Sequence, residues 1–215
     1  FEKRLLLFNF NGLKVFMHIS EGILSPALLA GGAVLTICGS AAGLKSIDYD
    51  EIPVMGILSA AFFVASLIHL PIGPVSAHLT LNGLIGLILG IRAFPVILVG
   101  LTLQVLLFQY GGITTIGINT LNIALPAVLC HYIFKKGASL NTGKIVFNLS
   151  VFSCGFFSIF FSAIMVGFSL SLTGRAFLPA AKIAVAAHLP VMFIEGGVTT
   201  ACVLFLKKVR PELLE

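Results

Sequence analysis

The chain has 215 residues, 58% of them hydrophobic and 10% charged, with a mean hydropathy of +1.11. A soluble domain carries about 25% charged residues, so composition excludes an ordinary water-soluble globule and points to an integral membrane protein. The net charge of +5 is not a nucleic-acid signature in such a chain, where the location of basic residues matters more than their sum.

The first segment, "FEKRLLLFNFNGLKVF" over residues 1–16, is too short and too interrupted to span a bilayer. No small-x-small cleavage site follows it. It reads as an N-terminal extension, from a start site placed too early or removed by processing that leaves Met17 first. Residues 17–215 read as a single transmembrane domain. A membrane helix needs about 20 apolar residues, and seven crossings are read in order, the third of them short: Ile23–Leu44, Pro53–Leu70, Ala77–Gly90, Phe94–Tyr110, Asn119–Phe134, Ile145–Leu172 and Lys182–Leu206. The expected fold is therefore all-α, a polytopic bundle of about seven helices. The sixth is long enough to extend beyond the hydrocarbon core, and Pro190 is expected to kink the seventh.

With Met17 outside, the cytoplasmic connections hold Lys45, Arg92, Lys135, Lys136, Lys144, Lys207, Lys208 and Arg210, against Arg175 and Lys182 on the outer side. That bias predicts an N-out, C-in protein. Cys38, Cys130, Cys154 and Cys202 lie far apart in apolar runs without ligand spacing and read as small buried hydrophobes. Ala27 and Gly31, Gly39 and Gly43, and Gly86 and Gly90 are pairs of small residues four apart, which lets helix backbones approach closely.

Ionisable groups inside apolar segments are functional candidates. His69 and His78 flank "HLPIGPVSAHL", where Pro71, Gly73 and Pro74 break the helix. Irregular backbone at membrane depth must be buried in protein or line a cavity. If Leu79 and Leu81 face lipid, His78 opens the third span pointing inward and shares a helix face with Asn82. His188 and Glu195 are seven apart in the last span and share a face; they could form a relay or simply satisfy neighbouring helices. The segment "QYGGITTIGINTLNIALPA", with Asn119, reads as a wet loop entering the fifth span.

The stretch "MHISEGIL" carries a distinctive possibility. A free Met17 amine and the His18 amide nitrogen close a five-membered chelate ring, and the His18 Nδ1 closes a six-membered one. A further imidazole, from His78 or His69, completes four nitrogens in a square. Nickel(II) and copper(II) accept such donors, cobalt(II) with less commitment. With Phe16 attached, the Met17 nitrogen is an ordinary amide and that anchor is lost.

Together "MHISEGIL", "HLPIGPVSAHLTLNGLIGLILG", "GGITTIGINTLNIALPA" and "HLPVMFIEGGVTT" resemble the CbiM/NikM family, the substrate-capture (S) components of energy-coupling factor transporters for cobalt and nickel. The resemblance covers Met17 to about Arg210. It implies a seven-helix subunit of the prokaryotic cell (inner) membrane with metal ligands at Met17, His18 and His78. His69 lies outside the family's ligand motif, and Glu21, Asn82, Asn119, His188 and Glu195 surround the ligands. It further implies Co2+ or Ni2+ as transported cargo, with no separate cofactor. Its implied partners are a transmembrane coupling (T) subunit, a cytoplasmic ATPase pair and a small accessory membrane subunit. The "LNGLIGLILG" stretch is more similar to cobalt members. The chain has no GxxxxGK[ST] and no HExxH, so it reads as a transporter subunit rather than an enzyme. A vitamin-capture subunit of the same transporter class and a secondary metal transporter are the alternative readings.

Overall fold

The computed structural model describes residues 15–16, 18–72 and 75–214, with backbone alone at 15–16, 69–72 and 75–77. Helices α1 (Pro26–Lys45) and α2 (Ile52–Ser66) come first. A three-stranded sheet follows, built from β1 (Val15–Phe16), β2 (His69–Ile72) and β3 (Val75–His78) in the order β1-β3-β2. Then come α3 (Asn82–Leu89), α4 (Ala93–Phe108), α5 (Ile116–Phe134), α6 (Lys144–Thr173) and α7 (Leu178–Val209). The fold is an all-α membrane bundle to which this small sheet is added.

Local chemistry sets the boundaries. Ser25 caps α1 by accepting the Leu28 N–H, and Pro26 occupies the first turn, where its missing donor costs nothing. One stripe of α1 faces inward through Gly32, Thr36, Ser40 and Gly43, and Thr36 Oγ1 donates to the Gly117 carbonyl at 2.6 Å. Its opposite face exposes Val34, Leu35 and Ile37, as suits contact with acyl chains. Cys38 lies on this outer face, which corrects the expectation that all four cysteines are buried. Helices α2 and α4 run parallel, tied by Ser59 Oγ to the Val96 carbonyl at 3.0 Å and Gln104 Nε2 to Ser66 Oγ at 2.7 Å.

Among the described residues, six helical segments are long and apolar enough to cross a membrane, including Tyr49–Ser66, Asn82–Phe108 and Arg175–Val209. The seven expected segments differ from these mainly at the third. Pro71 and the Pro74 region convert the end of the second expected span and the start of the third into strands, so α2 stops at Ser66 and α3 is only eight residues long. All eight of its residues are buried. The chain then turns through a 3-10 segment at Gly90–Arg92, with Gly90 at φ 55°, a conformation that favours glycine. At α3, Gly86 lets the helix touch α5: an added Cβ would collide with the Ala127 carbonyl. Pro190 does not end α7, which runs on to Val209. At 1.5 Å per residue α6 and α7 are each about 45–48 Å long, longer than a bilayer core of about 30 Å.

One end of the bundle collects basic groups. Arg92 pairs with Glu51 beside the end of α1, Lys135 Nζ donates to the Leu214 carbonyl at 2.9 Å, and Lys207 lies over the Phe147 ring at 3.9 Å. Burial, with Arg92 nearby, holds the Lys135 ammonium below its usual pKa. The sheet lies toward the opposite end.

Candidate metal site

The segment after Met17 is held by one side chain. The Ile19 N–H donates to Asn119 Oδ1 at 3.0 Å, and Asn119 Nδ2 donates back to the Ile19 carbonyl at 3.0 Å. This reciprocal pair is what a neighbouring strand would offer, supplied instead by an amide in the first turn of α5. Asn119 Nδ2 also reaches Thr115 Oγ1 at 3.3 Å. Glu21 fastens the next turn by accepting the Thr114 N–H at 3.2 Å. Its side chain fills the space beside Gly112, where any Cβ would collide with it. The expected wet loop therefore packs on the leading segment, and Asn119 acts by positioning backbone.

The two histidines stand together beside the small sheet. Strand β1 runs parallel to β3, with Val15 level with Val75 and Phe16 with Ser76. The His18 and His78 rings stack with centroids 4.7 Å apart and planes 29° apart. Both are buried, at 5% and 3% exposure. His78 Nδ1 lies 3.2 Å from the Leu79 carbonyl; a carbonyl only accepts, so this contact selects the Nδ1–H tautomer and places the lone pair on Nε2. His69 is the register partner of His78 across β2 and β3, but its side chain lies outside the described residues, as does Met17.

Beneath the pair runs a buried polar chain. Asn82 Nδ2 donates to Ser162 Oγ at 3.0 Å, and its Oδ1 accepts from Ser158 Oγ at 2.9 Å and Thr80 Oγ1 at 3.2 Å. Glu195 closes the chain by accepting from Thr80 and Leu81. Asn82 thus contacts α6, and the expected shared helix face with His78 is not formed: His78 ends a strand, and Leu81, at φ 51°, separates it from α3. Leu79 and Leu81 are half-buried rather than lipid-facing. His188 is buried with its Nδ1 turned to the Ala184 carbonyl of its own helix, and Glu195 serves the loop before α3, so these two do not form a direct relay. Sequence reasoning missed Thr80, Ser158 and Ser162; the i, i+4 spacing of the two serines was the available signal. Among the described residues no three His, Cys, Asp or Glu side chains gather in one place.

Residues 18–213 match the family described as the cobalt uptake substrate-specific transmembrane region, CbiM. The chain belongs to the CbiM family. It is a multi-pass membrane protein of a metal-transport family. A Haemophilus influenzae protein provisionally named for metal transport is 35% identical over 199 residues, covering 92% of this chain and 97% of that one. A cobalt transport protein CbiM of Clostridium tetani is 25% identical, over 98% and 92% of the two chains. The crystal structure of a truncated transition metal transporter superposes with a TM-score of 0.77 at 27% identity, over 89% of this CbiM-family chain and 98% of that one.

Proposed function

We propose that this CbiM-family protein captures Co2+ or Ni2+ between His18 and His78, for uptake driven by a separate ATPase. The stacked His18–His78 pair carries the reading. A first-row metal sits roughly 2 Å from an imidazole nitrogen and hence about 3 Å from the ring centre; two rings at right angles on one ion then lie about 4.5 Å apart. The rings here are 4.7 Å apart with planes 29° apart, a spacing that suits one shared ion once both ring nitrogens turn toward it. The remaining two donors are the Met17 amine and the His18 amide nitrogen, in a protein that begins at Met17. Square nitrogen coordination suits Ni2+ and, less strictly, Co2+; the "LNGLIGLILG" stretch inclines the reading toward cobalt.

Energy coupling follows from the family resemblance: a transmembrane coupling subunit, a pair of cytoplasmic ATPases and a small accessory membrane subunit complete the importer. The gathered basic end is the surface that faces the cytoplasm under the positive-inside rule, which sets the histidine pair toward the outside. Equilibrium dialysis with Co2+ and Ni2+ tests the site. His18→Ala and His78→Ala, each inserted normally in the membrane, lose 10-fold or more in affinity, on the order of a lost metal contact. Unchanged affinity in both variants overturns the assignment. N-terminal sequencing of the protein from its native membrane tests the amine, which requires a chain starting at Met17.

A further inference from the structure

We propose that Glu195 is a positioning residue for metal capture: from α7 it grips the backbone between His78 and α3 and so fixes where the His78 imidazole stands. The inference rests on the capture site proposed above and assigns a function to a carboxylate which that site does not use.

The backbone explains the need. Strand β3 ends at His78, and α3 begins at Asn82. The three residues between belong to neither ladder, and Leu81, which precedes the helix, offers no side-chain cap. Its φ of 51° is a left-handed conformation that a leucine holds only when its surroundings enforce it. Backbone N–H groups in such a turn, buried at membrane depth, must find acceptors within the protein. Glu195 supplies one oxygen to two of them, those of Thr80 and Leu81. Its Oε1 accepts from the Thr80 N–H and from the Leu81 N–H at 3.0 Å, and Thr80 Oγ1, 3.3 Å away, shares its one proton between this oxygen and Asn82 Oδ1. The partners are 114 and 115 residues away in sequence, and Glu195 is 0% exposed.

Position also explains the consequence. Thr80 is two residues from His78, and the intervening Leu79 carbonyl is the group that selects the His78 tautomer. Removing the acceptor frees the turn, and with it both the direction of the imidazole and the nitrogen that carries the lone pair. The one-oxygen grip further says that an acceptor in this place is required rather than a charge.

Four variants in the protein beginning at Met17, purified in detergent, decide the matter through Ni2+ and Co2+ dialysis and the visible absorption of bound Ni2+. Glu195→Gln retains an oxygen at the same reach and keeps affinity within about threefold. Glu195→Asp retains charge but withdraws the oxygen by one methylene, and loses roughly 10–100-fold, the range for residues that orient metal ligands. His78→Ala loses affinity comparably, and Glu195→Asp binds Ni2+ with the same altered absorption as His78→Ala. The double variant His78→Ala/Glu195→Asp is no weaker than His78→Ala alone, because the two act through one group. Wild-type affinity in Glu195→Asp, or an equal loss in Glu195→Gln, overturns the positioning role while leaving the site intact. Wild-type affinity in His78→Ala overturns the site itself, and the positioning role falls with it. Losses that add in the double variant show a general effect of Glu195 on the fold and also overturn the proposal.

Discussion

Single side chains here work on backbone more than on one another. Asn119 provides both halves of a strand-like pairing to Ile19, and Ile19 adjoins the histidine proposed to bind metal. Asn119→Leu keeps the volume but leaves a buried N–H and a buried carbonyl without partners, each costing about 1–3 kcal/mol. The expected outcome is a lower detergent unfolding midpoint together with a metal affinity reduced roughly tenfold or more. A thermal scan and dialysis on the same preparation check both. Wild-type affinity in this variant shows that the leading segment finds its place without the asparagine. The importance of Asn119 was legible from the sequence only as a polar residue entering an apolar span. The role itself depends on which backbone lies opposite, and that is a tertiary fact.

At the scale of elements, α3 is the unusual piece. It is eight residues long and buried on every side, wedged against α5 through Gly86 and against α6 through the contacts of Asn82 and Cys154. An added methyl at Gly86 would strike the Ala127 carbonyl, whereas one at Gly31 on the outer face of α1 meets nothing within 4 Å. Gly86→Ala should therefore reduce the yield of folded protein sharply, while Gly31→Ala is neutral or gains about 1 kcal/mol from helix propensity. Size-exclusion profiles of the two variants side by side make the comparison. The small-residue pairs looked alike in sequence, since spacing reports which residues share a stripe but not what the stripe touches. The same limit explains the third span. Hydropathy measures how well a segment avoids water, and a strand followed by a short helix, both enclosed by protein, avoids it as well as one continuous helix. Proline and glycine did reveal the break at residues 71–74; the length of the extended part required the partner strands.

For the whole molecule, the division between the two ends was the most legible property. Arg92, Lys135 and Lys207, far apart in sequence, gather at one end of the bundle, and counting basic residues loop by loop anticipates that gathering without coordinates. Opposite them the proposed capture site is built entirely of nitrogen donors that also bind protons. Each donor nitrogen must be free of its proton to bind, so a metal displaces those protons together with the one on the His18 amide. Bound metal therefore falls as pH drops, and is recovered as rising pH strips the donors of their protons. Isothermal titration at pH 6 and pH 8 should show a weaker association at pH 6, by an order of magnitude or more, and proton release that varies with buffer ionisation heat. A flat profile would point to oxygen ligands instead.

The grip of Glu195 on the turn before α3 has a reciprocal side. Whatever factor a seated carboxylate contributes to holding an ion, the held ion must return to the seating of the carboxylate, because coupling between two equilibria is symmetric. Cargo bound beside the first residues of the domain thus fastens its last long helix, so amide protons around residue 195 exchange more slowly in the loaded protein than in the empty one.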